Sequence, residues 1–395
     1  MNSLLISLLA VGALHISQGS RSAEDSAGFV TLLGRDTVAL ESFRRTASQL
    51  QGEIVIRVPG TVLLRYTLDL RKDGTVSRSV VELKPLGVPD MVGRRVTIDF
   101  FPSFARATID SAGAHLQQRQ PLPPGSVPLL MSGFGSSFGI YSSLGMYELL
   151  LSHLSFPPTA TMTVPAIGAV DVGMGTRQFI RRSATQVDAD YFKIAWTHLT
   201  LDEHGRIMSA DASETTERTQ TWRTGPIDVA RAAREFAARD RAGKGVGIAS
   251  PADSVRAKLG AATIAIDYSS PRRRERRILG KVVPYDQVWR TGANAATVLV
   301  LDHAVTIGEQ VVPAGEYTLW TLPKTSGVEL IINRQHGQWG TDYDASQDLG
   351  HIPMVVSTAP TPQDNFAIVV HGEGGAGELR IQWDTFVWSV PLTVR

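Results

Sequence analysis

The chain has 395 residues, 43% of them hydrophobic and 19% charged, with a formal net charge of +1. These proportions exclude a largely disordered chain, and the near-zero charge gives no global field for nucleic acid or an acidic surface. Cysteine is absent, which excludes thiol catalysis, disulfides, thiolate zinc sites and a lipid anchor on an N-terminal Cys.

Residues 4–16 are nearly all apolar, and Ser17-Gln18-Gly19 offers a small-x-small cleavage site. The run is too short to span a bilayer comfortably, so residues 1–19 predict a cleavable signal peptide and a periplasmic or secreted location. No other stretch reaches the ~18 apolar residues of a membrane helix, so the mature chain is expected to carry no integral membrane segment.

Residues 26–224 predict an N-terminal β domain. Alternation runs through 53–58, ends at Pro59-Gly60, and resumes over 61–70. Arg71-Lys72-Asp73-Gly74 makes a hairpin turn, because Asp-Gly tolerates positive φ. Residues 76–83, 95–101 and 105–110 continue the pattern. Residues 191–201 lead up to Asp202-Glu203-His204-Gly205, and 206–223 read as one returning strand. This is an antiparallel meander. The Pro-rich stretch 121–128 reads as loop and the Gly/Ser run 133–139 as flexible. Residues 141–154 read as a short apolar helix ending before Pro157-Pro158. The expected shape is a curved, half-barrel-like antiparallel sheet with one helix on its concave face. That shape resembles periplasmic lipid carriers, a likeness of architecture without a shared motif.

Residues 225–250 predict a linker helix and a flexible break. Pro226 suits a first turn, and Ile227, Ala230, Ala233 or Arg234, and Ala237 follow helical spacing. The charges over 226–241 predict a solvated helix, and 243–247 a glycine break. Residues 251–395 predict a C-terminal β-sandwich or jelly-roll. A short helix at 251–259 is expected to precede strands at 261–267, 297–301, 317–322, 328–332, 366–371 and 379–390. Five of the seven Trp lie after residue 280.

Within this last region the pieces come in a characteristic order. Asp267-Tyr268-Ser269-Ser270-Pro271 ends a strand, and a basic stretch leads to Ile278-Leu279-Gly280 and Val283-Pro284-Tyr285. Trp289-Arg290-Thr291-Gly292-Ala293-Asn294 comes next, then Pro313-Ala314-Gly315-Glu316-Tyr317-Thr318-Leu319, Asn333, Trp339-Gly340 and Tyr343. Residues 261–395 resemble the bacterial family called domain of unknown function 2911. The family usually has Arg between the Ser and Pro of its first motif, where this chain has Ser270. The resemblance implies no established activity.

The candidate ligand-binding residues are Trp289, Arg290, Thr291, Asn294, Tyr268 and Tyr285. Gly292 and Asn294 permit a loop with unusual backbone angles. Arg290 offers a planar donor fork for carboxylate or phosphate, and Trp289 a face for a sugar ring or an Arg. The competing account pairs Arg290 with a carboxylate such as Asp267 and uses Thr291 and Asn294 to cap turns. The Arg272-Arg273-Arg274-Glu275-Arg276-Arg277 run is expected to be a solvated loop. His303, His336, His351 and His371 show no metal spacing, so no metal and no cofactor are expected.

Gly135-Ser136-Ser137-Phe138-Gly139 matches a nucleophile-elbow pattern, with His153 or His198 and Asp171 or Asp188 as conceivable partners. The region lacks the βα alternation such an elbow needs. The leading expectation is a non-enzymatic, exported binding module for a small polar, lipidic or glycan ligand. The alternatives are a hydrolase acting on an ester or glycan, through Ser137 or the acidic group Asp342, Asp344 and Asp348, and an envelope structural or interaction protein.

Overall fold

The computed structural model describes residues 25–394, apart from 89–90, 130–141, 155–156, 158, 192–194 and 216–217. The expected signal peptide and the pattern around Ser137 lie outside the described residues. A first meander comprises β1 (Asp25–Leu33), β2 (Asp36–Arg45), β3 (Gln49–Ile56), β4 (Val62–Leu70), β5 (Val76–Pro85), β6 (Arg94–Phe100), β7 (Phe104–Ser111) and β8 (Ala114–Pro121). After β9 (Val127–Leu129) and α1 (Leu144–Leu151), a second comprises β10 (Thr161–Gly168), β11 (Met174–Arg181), β12 (Gln186–Tyr191), β13 (Ala195–Leu201), β14 (Ile207–Asp211) and β15 (Thr219–Thr224). The two join where β1 pairs antiparallel with β15, from Gly28 opposite Thr224 to Leu33 opposite Thr219. The result is a 15-stranded sheet running from β8 through β1 and β15 to β9. It is antiparallel except where β9 lies parallel to β10.

The sheet curls without closing. Val96, Ile98, Phe100, Ala105, Ala107 and Leu122 near one end form a cluster with Ile167 and Val172 near the other, while the edge strands β8 and β9 stay unpaired with each other. On β3 and β4 both faces are covered. Ile54, Ile56, Leu64, Tyr66 and Leu68 face α1. Val55 and Leu63, of opposite parity, face a second helix, α2 (Val229–Arg241).

Helix α1 is apolar apart from Glu148, and all eight of its residues are buried, as expected of a helix that fills a core rather than coating one. Two polar ties fix it. Glu41, fully buried on β2, accepts hydrogen bonds from Tyr66 Oη (2.7 Å), Ser143 Oγ (2.6 Å) and Leu144 N (2.9 Å). A carboxylate at a helix N-terminus satisfies donors that the helix cannot. Ser143 also caps the helix by accepting from Met146 N. Burial first, and then the Glu41 charge, push the Tyr66 phenol well above its ordinary pKa. In mid-helix Glu148 accepts from Arg223 Nη1 (2.6 Å) and Ile207 N (2.8 Å), and Arg223 reaches Asp25 as well (2.9 Å).

The C-terminal sheet comprises β16 (Ala252–Leu259), β17 (Ala262–Ser269), β18 (Thr297–Leu301), β19 (Val305–Ile307), β20 (Gln310–Val312), β21 (Gly315–Lys324), β22 (Gly327–Asn333), β23 (Asp348–Glu373) and β24 (Ala376–Thr393). Its order is β16-β17-β18-β21-β22-β23-β24-β19-β20. The 26-residue β23 pairs with β22 as far as Met354 and with β24 from Val355 onward. One strand therefore belongs to both layers of the sandwich. Trp289, Phe366, Trp383 and Trp388 lie in the core between them.

Several expectations are corrected. Residues 252–259 form β16, not a helix. Only β17 flanks it in the sheet, and its burial rises at alternate residues from Val255 to Leu259. Residues 206–223 form two strands, β14 and β15, not one. Two strands, β1 and β2, precede the first one expected. Helix α2 is not a solvated linker: Val229, Ala233 and Phe236 pack on Val55 and Leu63. The Asp240 carboxylate, near its end, accepts from Thr61 N and Oγ1 (2.7 and 2.6 Å).

The Arg272–Arg277 run is not a solvated loop either. The β1–β2 turn docks on it, with Arg35 ion-paired to Glu275 and Asp36 to Arg274, whose side chain is buried. Gly34, at φ +60°, lies so close that a Cβ there would sit 2.4 Å from the Arg274 carbonyl oxygen. Arg218 Nη2, on the β14–β15 connection, donates to Val282 O (3.1 Å).

Candidate functional site

A pocket opens in the packing beneath the N-terminal sheet. Of about 200 Å³, it lies between α1, the β4–β5 turn, the β6–β7 turn and the loop after β8. Its apolar wall includes Leu68, Val76, Phe100, Phe101, Met146, Leu149 and Leu150. The volume falls below the ~300–1,000 Å³ of a drug-sized site, so it suits a small apolar group or the end of a chain.

The pocket's polar side chains are Arg71, Thr75, Ser126 and His153, and local contacts orient Arg71 and His153. Arg71 closes the β4–β5 turn by donating to Val76 O (2.5 Å) and reaches Phe100 O (2.6 Å), so its guanidinium ties two turns together. His153 Nδ1 faces Leu149 O (2.8 Å). A carbonyl can only accept, so Nδ1 carries the proton. Nε2 lies over Gly74, where a Cβ would approach it to 2.0 Å. Only glycine fits there, and its φ of +80° requires glycine's freedom as well.

The six residues proposed from the sequence do not gather on one surface. Trp289 is buried edge-on to Phe366 (centroids 5.3 Å apart) and stacked on Trp383 (6.1 Å), so it has no free face for a sugar. Thr291 is fully buried, at φ +52°, an uncommon angle for a β-branched residue. Its carbonyl accepts from Thr297 Oγ1 (2.7 Å). Tyr268 is buried and donates to Asp253 (2.9 Å), and burial first, then Asp253, push its phenol up to about 12. Tyr285 and Asn294 are exposed, and Asn294 Nδ2 donates to Ser269 Oγ (3.3 Å). Arg290 is half-buried and donates to Asn294 O (3.2 Å). The suggested Asp267 partner is taken by Arg256 (2.6 Å). The loop is thus a core anchor with a polar outer rim.

His198, Asp188, Asp344 and Asp348 are likewise engaged. His198 Nδ1 meets Asp188 (2.7 Å) on the adjacent strand, while its Nε2 faces Glu214 (3.4 Å). Both ring nitrogens therefore have carboxylates. Asp344 caps the turn at Ser346, and Asp348 accepts from Tyr343 (2.5 Å) and Asn333 (2.8 Å). Among the described residues no group of three or more His, Asp or Glu could hold a metal ion. No described helix is long and apolar enough to cross a membrane.

His351 bridges Glu329 (3.1 Å) and Asp348 (3.0 Å). Burial lowers its pKa, but the two carboxylates outweigh burial and the net shift is upward. A raised folded-state value contributes stability fully below the unfolded histidine's pH ~6.5 and loses it as pH rises through the folded value. His351→Gln is therefore expected to lower the melting temperature at pH 5.5 and to leave it unchanged at pH 9. The ring is 43% exposed, which keeps the effect under about 1 kcal/mol. NMR titration of the ring checks the shift directly; a midpoint below that of a free histidine would contradict it.

The family described as "Protein of unknown function (DUF2911)" matches residues 250–392, the C-terminal region. No curated protein matches the chain. Among solved structures, the crystal structure of a DUF1089 family protein from Pseudomonas aeruginosa is similar at 14% identity, covering 45% of this chain and 91% of that one. Its TM-score of 0.29 carries no argument about fold or function.

Proposed function

We propose that the protein is an exported, non-enzymatic binding protein whose N-terminal sheet takes the apolar part of a small ligand into the pocket beside α1. The observation that carries this reading is the pocket itself: an apolar recess bordered by Arg71 and His153, beside a helix that packs on the sheet. Apolar recesses with a few oriented polar groups are the usual form of small-molecule sites. The export component rests on the apolar residues 4–16 and the small residues after them. In the C-terminal sandwich, Tyr285, Asn294 and Arg290 stand at the outer rim for a polar group or a partner. The engagement of Asp344 and Asp348 in local structure favours binding over hydrolysis.

The test is saturable binding of an apolar fluorophore, N-phenyl-1-naphthylamine, to the purified protein. Ser126 lines the pocket, is half-buried and belongs to no hydrophobic cluster, so Ser126→Trp places a large ring in the pocket without removing a core side chain. The variant is expected to lose about tenfold in affinity, or about 1.4 kcal/mol, with an unchanged melting temperature. Absence of saturable binding to the unaltered protein, or equal binding to both, would sink the proposal.

A further inference from the structure

The outer face of β5–β8 carries a row of charge in register. Arg78 stands opposite Asp99, Asp99 opposite Arg106, and Arg106 opposite Arg119. Asp99 is engaged by Arg78 at 3.3 Å. Among the described residues neither Arg106 nor Arg119 has a carboxylate partner. Their guanidiniums lie on aromatic rings instead: Arg119 over Phe104 at 4.1 Å and Arg106 over Phe101 at 5.4 Å. The two rings stack on each other with centroids 4.5 Å apart.

Like charges directly opposite on paired strands destabilise a sheet, and an anion placed between them removes the repulsion. Neighbouring strands lie about 4.8 Å apart, so two adjacent forks can share one phosphate or carboxylate. Phe101 connects this pair to the pocket: it belongs to the pocket wall and is 37% exposed. Arg106 therefore stands one ring away from the apolar recess and Arg119 two, through the Phe104–Phe101 stack.

We propose that Arg106 and Arg119 hold the phosphate or carboxylate head of an anionic amphiphile whose tail passes Phe101 into the pocket. The proposal rests on the pocket reading above and names the class of ligand that fits it.

Calorimetric titration separates the two. The probes are dodecyl phosphate, neutral dodecyl maltoside and inorganic phosphate, each below its micellar concentration, against the unaltered protein and an Arg106→Gln/Arg119→Gln variant. Both arginines are exposed, so the variant keeps the fold. Dodecyl phosphate is expected to bind about tenfold or more tighter than the maltoside, and to fall to the maltoside's affinity in the variant while maltoside binding stays unchanged. Equal affinities with an insensitive variant would overturn the head-group site and leave the pocket standing. Inorganic phosphate binding as tightly as dodecyl phosphate would overturn the amphiphile in favour of a simple anion site. Failure of all three probes to bind would remove the pocket reading along with the head group.

Discussion

Arg223→Ala is expected to destabilise the N-terminal sheet by about 3–5 kcal/mol, the cost of leaving a buried ion pair with one partner. The Arg223 and Glu148 side chains are only 8% and 5% exposed, so water cannot replace the lost guanidinium. Burial already raises the Glu148 pKa against the opposing pull of Arg223, and removing Arg223 raises it further. A carboxyl whose folded-state value is raised favours folding below its unfolded value, near pH 4.3, and loses that contribution as pH rises through the folded value. Urea unfolding of the variant should therefore show a smaller deficit at pH 4 than at pH 7.5. Replacing the pair together, as Arg223→Met/Glu148→Leu, is expected to recover only part of the loss, because Ile207 N and Asp25 then lose their partners as well. A single-variant deficit below about 1 kcal/mol would mean that α1 is not held by this tie.

Trp289→Ala is expected to remove about 3–5 kcal/mol from the C-terminal sandwich. Trp289 is buried and touches three other large aromatic residues, Phe366, Trp383 and Trp388, so its removal leaves a cavity among them. Arg290→Ala, one residue along, is expected to cost less, about 1–2 kcal/mol, in the range of lost hydrogen bonds of a half-buried side chain. Calorimetry of the two variants compares them directly. If Trp289→Ala left the melting temperature unchanged, the assignment of this motif to the core would be wrong.

The contrast between these neighbours shows what the sequence made legible. Strands β3 to β7 could be read because their apolar residues alternate and Asp73-Gly74 marks the turn between β4 and β5. Strand β8 could not: the segment around Leu116 and Gln117 has almost no apolar period, because the edge strand is held by its ladder to β7. The spacing of α2 was visible, and Val229, Ala233, Phe236 and Ala237 were the better face, at i, i+4, i+7 and i+8. What that face packs on was invisible, since Val55 and Leu63 lie far back in the chain. The same distance hid the docking of Arg274 on Asp36. The pocket left no motif at all, because its wall is drawn from four separate segments. In the Trp289 loop, residue types suited to ligand binding also suit a buried aromatic anchor. Only packing separates those two uses, and the clustering of Trp after residue 280 was the available signal.

The join between β1 and β15 has a consequence for how the protein is made. Thr31 and Thr221, which face each other across it, are 190 residues apart, and closing a loop of that length costs about 5 kcal/mol of chain entropy. Every other ladder in the 15-stranded sheet links strands that are neighbours in the chain. During synthesis β1 can pair with β2 as soon as that hairpin emerges, but its other edge has no partner until residue 224 has been made. For that interval an apolar strand containing Phe29, Val30 and Leu32 presents unpaired backbone groups, the feature that invites pairing with another chain. The architecture that gives the mature protein a continuous curved sheet thus places its greatest hazard of aggregation at the start of the sheet, before the sandwich that follows exists.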